Sequence, residues 1–181
     1  RCIFCGESNN WKRYRFRSAH NIFDEIVHQC NRYPFITSFF FNDSLLNGNL
    51  RMLEELCDLI IKNKINITWG GQAAICDGMT KELILKMKEA GCFHLTYGLE
   101  SVSPKILKMI GKEFSPELAE RVIKDTHQAG IKTCITLIVG FPTETEEDII
   151  MTSEFLIRNK QAIDKVLFHL LVIARGTYIY E

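Results

Sequence analysis

Apolar residues along the chain follow two rhythms. Five runs are almost continuously apolar or aromatic: Ile36–Phe41, Ile65–Trp69, Phe93–Tyr97, Thr133–Val139 and Val166–Ile173. Short runs rich in branched and aromatic side chains read as strands covered on both faces. Between them, apolar residues recur at helical spacing. The sets are Leu50, Leu53, Leu56, Ile60 and Ile61; Leu83, Ile84 and Met87; Leu118, Val122 and Ile123; and Ile149, Ile150, Ser153 and Leu156. An opening helix from Ser18 to about Asn31 carries Ile22, Ile26, Val27 and Cys30.

The punctuation agrees with this division. Ser103-Pro104 and Ser115-Pro116 are N-cap and first-turn pairs, and Thr145 can cap the helix that follows it. Ala90-Gly91 and Ala129-Gly130 have the form of helix ends with a terminating glycine. The order is helix, strand, helix, strand, helix, strand, two short helices, strand, helix, strand. Such alternation with helical crossovers predicts an α/β fold with a parallel sheet in one domain over residues 1–181. A closed eight-unit barrel typically takes about 250 residues, so this chain is either a partial barrel or an open doubly wound sheet.

Composition narrows the function. The 181 residues include 22 Lys plus Arg and 22 Asp plus Glu, a formal net charge of zero, which gives no chain-wide field for nucleic acid. No apolar run approaches the roughly 18 residues of a membrane helix. Seven cysteines is an odd number. Five of them (Cys30, Cys57, Cys76, Cys92 and Cys134) are scattered through apolar or helical patterns, as small buried hydrophobes are. That usage points to a reducing compartment, and a cytoplasmic location is expected.

The unusual residues fall just after the predicted strands: Asn42-Asp43-Ser44, Gly70-Gly71-Gln72, Gly98-Leu99-Glu100-Ser101 and Gly140-Phe141-Pro142-Thr143. In a parallel sheet these turns share the carboxyl edge, where ligands bind in barrels and open sheets alike. None is a phosphate-binding loop. No Gly-x-Ser-x-Gly turn exists, and His20, His28, His94, His127 and His169 show no catalytic or ligand spacing.

Cys2 and Cys5 stand apart, because a two-residue gap is a metal or redox spacing. Three chemistries use it: a zinc half-site, a thioredoxin-like dithiol and an iron–sulfur loop. Zinc lacks a second ligand pair downstream. The dithiol lacks a following helix, since Gly6-Glu7-Ser8-Asn9-Asn10 reads as loop. An iron–sulfur loop fits if further ligands lie upstream of Arg1, and both ends of the chain have the look of a larger protein's interior.

Taken together, these residues resemble the core of the radical S-adenosylmethionine (radical SAM) superfamily. Cys2 and Cys5 match the last two cysteines of its Cys-x3-Cys-x2-Cys loop, and Phe4 matches the aromatic residue before the last. "WKRYRFRSAHNIFDEI" and "FFFNDSLL" resemble segments of the cobalamin-associated branch, with Asn42 and Asp43 in place of the usual Gly-Gly-Glu turn. "YGLES" resembles the turn whose Glu and Ser, here Glu100 and Ser101, meet the cofactor. "IVGFPTETEEDI" resembles the Gly-Phe-Pro-Gly-Glu-Thr turn, with Thr143 replacing the second glycine and the backbone of Val139 and Gly140 flanking adenine. The resemblance covers about residues 1–175.

The resemblance implies a partial TIM-like (β/α)6 barrel truncated at both ends, with its first strand and first cluster cysteine upstream of Arg1. It implies a [4Fe-4S] cluster held through Cys2 and Cys5, and S-adenosylmethionine bound by Phe4, Asn42, Asp43, Glu100, Ser101, Val139 and Gly140. Reductive cleavage of that cofactor would yield a 5′-deoxyadenosyl radical. Cobalamin would be held by an upstream domain, and electrons would come from a donor such as flavodoxin or ferredoxin. The substrate is not specified. Arg15 and Arg17 either meet a carboxylate or phosphate or form a solvated basic strip. A non-enzymatic module whose Cys2 and Cys5 hold zinc, and an ordinary oxidoreductase on an open sheet, are the competing readings.

Overall fold

The computed structural model describes residues 2–7 and 14–181. Its elements are α1 (Ala19–Arg32), β1 (Ser38–Phe41), α2 (Leu50–Lys62), β2 (Thr68–Ala73), α3 (Lys81–Glu89) and β3 (Cys92–Glu100). They continue with α4 (Pro104–Ile110), α5 (Pro116–Gln128), β4 (Lys132–Val139), α6 (Glu146–Arg158) and β5 (Lys165–Leu170). Residues 8–10 of the loop after Cys5 and residues 11–13 of the basic segment lie outside the described residues.

Local chemistry sets the helix ends. The side chains of Ser18, Asn49, Thr80, Ser103 and Ser115 each accept a backbone N–H of the first turn. At α6 the Asp148 carboxylate accepts the backbone N–H of Thr145 at 2.9 Å, one half of a capping box. Gly91 and Gly130, both at positive φ, follow α3 and α5.

All five strands are parallel and lie side by side in chain order. A doubly wound sheet reverses direction part-way; this one does not, so it is wound once, like a barrel wall. The wall is open, because β1 pairs only with β2 and β5 only with β4 among the described residues.

The two faces of the wall differ. Trp69, Leu95, Tyr97, Leu99, Ile135 and Leu137 are fully buried in a core shared with Leu53, Ile84, Met87, Val122 and Ile123 of the helices. Burying each such side chain is worth roughly 1.5–3 kcal/mol. The polar tips in this layer are satisfied: Trp69 Nε1 donates to the Ala90 carbonyl at 2.8 Å, and the Tyr97 and Thr126 hydroxyls bond at 2.9 Å.

The register aligns the other face. It sets Gly70 beside His94, Gln72 beside Thr96, Gly98 beside Thr136 and Ile138 beside His169. These positions alternate with the helix-packed ones, so the inner face of the wall carries polar side chains (Gln72, His94, Thr96, Thr136 and His169) among glycines and apolar residues. The expectation of strands covered on both faces is therefore corrected.

Several strand boundaries are corrected as well, with β1 beginning at Ser38 rather than Ile36 and β2 at Thr68 rather than Ile65. Gly70, Gly71 and Gln72 lie inside β2 rather than in the turn after it. The ladder shifts register between Trp69 and Gly70, and a Cβ on Gly70 would stand 2.7 Å from the His94 carbonyl oxygen. Close approach of neighbouring backbone, not a turn, is what requires glycine there. β3 continues through Gly98 and Leu99 to Glu100, and β5 stops at Leu170 rather than Ile173.

A smaller apolar cluster lies beyond the strand ends. Ile106, Leu107, Ile110 and Phe141 form it, with Ile3, Phe4 and Leu171 packed against it. Among the described residues no helix is long and apolar enough to cross a membrane.

Candidate functional site at the carboxyl edge of the sheet

Glu100 is built into place by a break in the β3–β4 ladder. Gly98 pairs with Thr136 and Glu100 with Leu137, which leaves Leu99 as the extra residue of a bulge. Glu100 itself adopts φ +65°, uncommon for a residue with a side chain. A bulge re-aims the side chain beside it. Here the carboxylate turns onto Thr136, whose hydroxyl donates to it at 3.3 Å.

Lys112 completes the group. It follows α4, twelve residues after Glu100 in the sequence. Its Nζ donates to the Gly98 carbonyl and stands 3.5 Å from Glu100 Oε1. Both side chains of the pair are about nine-tenths buried, at 14% and 10% exposure. Gly98 leaves the room for them: a Cβ there would lie 2.7 Å from Glu100 Oε1 and 2.9 Å from Lys112 Nζ. Burial pushes the Glu100 carboxyl above its ordinary value, while Lys112, the Thr136 hydrogen bond and His169 pull it back.

Cys2 belongs to the same electrostatic neighbourhood. Burial raises its thiol, the Lys112 cation lowers it, and the Glu100 carboxylate raises it again. The Cys5 N–H donates to the Cys2 carbonyl at 3.3 Å, so both cysteines lie in one tight turn. All seven cysteines remain thiols. Phe4 packs on Phe141 with ring centroids 5.9 Å apart, which joins the cysteine turn to the loop after β4.

That loop holds Gly140 and Thr143. Gly140 is exposed at φ +89°, and its N–H donates to Glu144 Oε2 at 2.6 Å. Thr143 has φ +68°, a backbone conformation that favours glycine. Lys105 Nζ donates to the Thr143 carbonyl at 2.7 Å and meets Asp148 at 2.5 Å. Hydrogen bonds from Lys105, from the Ser103 hydroxyl and from Thr145 hold the Asp148 carboxyl far below the usual carboxylate range.

The remaining candidates divide. Ser101 is buried, with its hydroxyl 3.3 Å from that of Thr152 and accepting the Ser103 N–H at 3.1 Å. It supports the loop in this state. Val139 is half-buried at the end of β4, and its carbonyl accepts the Leu171 N–H at 2.9 Å. Asn42 and Asp43 are exposed and line a different space, a cleft of about 550 Å3 shared with Tyr14, Arg15, Phe16 and Arg17. Of the two arginines weighed as anion receivers, Arg17 is committed to Asn21 and Glu25 of α1.

Reading the sequence missed Lys112 and the inner face of the wall. No local pattern marks Lys112. The inner face did leave a signal, since His94, Thr96 and Gly98 alternate with Leu95, Tyr97 and Leu99. His94 sits on that face with its imidazole held below its ordinary pKa by burial and by Lys165.

The fold and edge define a class: an open, singly wound β/α barrel with a thiol pair, a buried carboxylate and a cation at the carboxyl ends of its strands. Within that class the chain belongs to the radical SAM superfamily, whose pattern its sequence matches over residues 1–156. An uncharacterized methyltransferase of Pyrococcus horikoshii is 29% identical over 182 residues, covering 99% of this chain and 39% of that protein. The anaerobic magnesium-protoporphyrin IX monomethyl ester cyclase of Rubrivivax gelatinosus is 28% identical over 149 residues, covering 82% of this chain and 27% of its own. The chain thus spans about two-fifths or less of these relatives.

Among solved structures, the radical S-adenosylmethionine methyltransferase TsrM of Kitasatospora setae, with cobalamin and a [4Fe-4S] cluster bound, superposes with a TM-score of 0.87. The two are 20% identical, over 99% of this chain and 34% of that one. The cobalamin-dependent radical enzyme OxsB follows the same fold with a TM-score of 0.76 and 19% identity, over 99% of this chain and 27% of its own.

Proposed function

We propose that residues 1–181 are the cluster-binding and S-adenosylmethionine-binding core of a radical SAM enzyme of the cobalamin-associated branch. The observation that carries this reading is the convergence of Cys2, Lys112 and the bulge-aimed Glu100 at one end of the sheet. The donor set fits the group: two cysteines lie in one tight turn tied to the loop after β4 through Phe4 and Phe141, and cysteine sulfurs are the usual ligands of iron–sulfur clusters. The third cysteine and a strand pairing with the unpaired edge of β1 belong to chain preceding Arg1. Cobalamin, which the TsrM structure contains, belongs to a domain outside residues 1–181 in this reading.

When bound, the cluster supplies the single electron that cleaves a carbon–sulfur bond of S-adenosylmethionine to give a 5′-deoxyadenosyl radical. The chain's own residues orient and insulate. Cys2 and Cys5 ligate iron. Glu100 offers an acceptor to a hydroxyl or ammonium, and Lys112 offers its charge to a carboxylate. Phe4 and the exposed backbone at Gly140 flank an aromatic base, with Val139 at the strand end behind them. Asn42 and Asp43, across the edge, are available to a cationic group, and Ser101 reaches the ligand only by releasing Thr152. The inner face bearing Gln72, Thr96, Thr136 and His169 receives the substrate. A flavodoxin- or ferredoxin-type donor and a cytoplasmic setting complete the reading.

Anaerobic reconstitution of the full-length protein tests it. About four iron and four sulfide per chain are expected, lost in Cys2→Ala and Cys5→Ala, with S-adenosylmethionine binding weakened at least about tenfold by Glu100→Ala. Bound zinc without acid-labile sulfide overturns it in favour of the metal-binding module.

A further inference from the structure

The chain after β5 does not leave the molecule. The Leu171 N–H bonds the Val139 carbonyl at 2.9 Å, and Leu171 packs into the small apolar cluster with Ile3 and Phe4. The chain then reverses at Gly176, which has φ +81°. Thr177 closes that reversal. It is fully buried although its neighbours are exposed, and its hydroxyl donates to the Ala174 carbonyl at 2.6 Å, beside its own N–H at 3.2 Å. The Tyr180 N–H bonds back to the Thr177 carbonyl at 2.9 Å.

This turn delivers one amide to the cysteine loop. The Ile179 N–H donates to the Ile3 carbonyl at 3.1 Å, while the Ile3 N–H donates to the Ile110 carbonyl at the end of α4, also at 3.1 Å. Ile3 lies between the two cysteines, and it is gripped from two distant parts of the chain. The loop's own backbone bond, Cys5 to Cys2 at 3.3 Å, is the longest of the three.

We propose that Thr177 and Ile179 are positioning residues for the cysteine turn: the buried Thr177 hydroxyl shapes the reversal that carries the Ile179 amide to the Ile3 carbonyl, which presets Cys2 and Cys5 before iron arrives. A ligand loop held in its binding geometry loses less conformational freedom on ligation. The role assigned to the strap rests on the cluster reading above, but the grip itself is a property of the metal-free protein and is measured there.

The test uses the full-length protein stripped of metal under anaerobic conditions. Alkylation of each cysteine by iodoacetamide is followed by peptide mass spectrometry. Thr177→Val removes the hydroxyl, and Ile179→Pro removes the donor to Ile3. Each is expected to speed labelling of Cys2 and Cys5 about fivefold, the factor that one lost hydrogen bond gives. Thr177→Ser keeps the wild-type rate. Cys57 and Cys92, buried in the main core, report general loosening and stay slow. After reconstitution, both disruptive variants release iron to a chelator faster than wild type.

Unchanged labelling at Cys2 and Cys5, or an equal rise at all four cysteines, overturns the proposal. If wild-type protein takes up no iron through Cys2 and Cys5, the cluster reading fails, and the labelling rates still decide whether the strap holds the turn.

Discussion

The two halves of the sheet's carboxyl edge are built differently. At β3 and β4, Glu100, Lys112, Thr136 and Gly98 interlock through a bulge, two hydrogen-bonding groups and a buried ion pair. At β1, Asn42 and Asp43 stand in solvent at the mouth of a cleft. One half is organised before any ligand arrives. The other supplies acceptors whose geometry a ligand or a neighbouring chain segment has to fix. Preorganised groups contribute to stability as well as binding, whereas exposed ones contribute to binding alone.

Substitutions break this contrast in order of size. Lys112→Ala leaves Glu100 buried without its cation and is expected to destabilise the protein by about 2 kcal/mol, read from urea unfolding. An unchanged midpoint would place the two halves on an equal footing.

Asp148 anchors the loop behind the organised half, and its effect depends on pH. Its carboxyl is depressed in the folded protein, so its stabilisation is complete above the unfolded value of about 3.9. It is lost as the pH falls from there through the depressed folded value. Asp148→Asn is expected to lower Tm by a few degrees at pH 7. The gap from wild type should narrow as the pH drops below about 4. A gap that widens in acid reverses the sign and the argument.

Thr143→Gly relieves a β-branched residue held at φ +68° while keeping the carbonyl that Lys105 grips. A gain of roughly 0.5–1 kcal/mol is expected, because relief of left-handed strain exceeds the added freedom of the unfolded chain. Smallest of all, Asn42→Ala and Asp43→Ala should change stability by less than about 0.5 kcal/mol. Both should still weaken S-adenosylmethionine binding in isothermal titration, and that split between folding and binding is the sharpest form of the comparison.

The same contrast governs how much the sequence discloses. Helix starts at Ser18, Ser103, Ser115 and Thr145 are legible, because a cap is written within four residues. The parallel alternation is legible from periodicity, and Glu100 stands out as a candidate from its place just past the end of a predicted strand. What escapes is whatever depends on register. Gly70-Gly71 looks like a turn until the His94 backbone is seen pressing against it. Lys112 meets Glu100 only because α4 folds the chain back, and no spacing rule announces that. Asn42 and Asp43 are recognisable as candidates, yet their partners are not written in the residues around them.

The unpaired margins of β1 and β5 have a practical consequence. Phe40, Phe168 and Leu170 are exposed on these two strands, beside amide and carbonyl groups that have no sheet neighbour among the described residues. Such borders template addition of foreign strands. Expressed alone, these 181 residues would be inclined to stick to one another edge to edge. Solubility is therefore a property to engineer at those borders, by lysine or proline on the outermost strands, before the isolated polypeptide is used for biophysics.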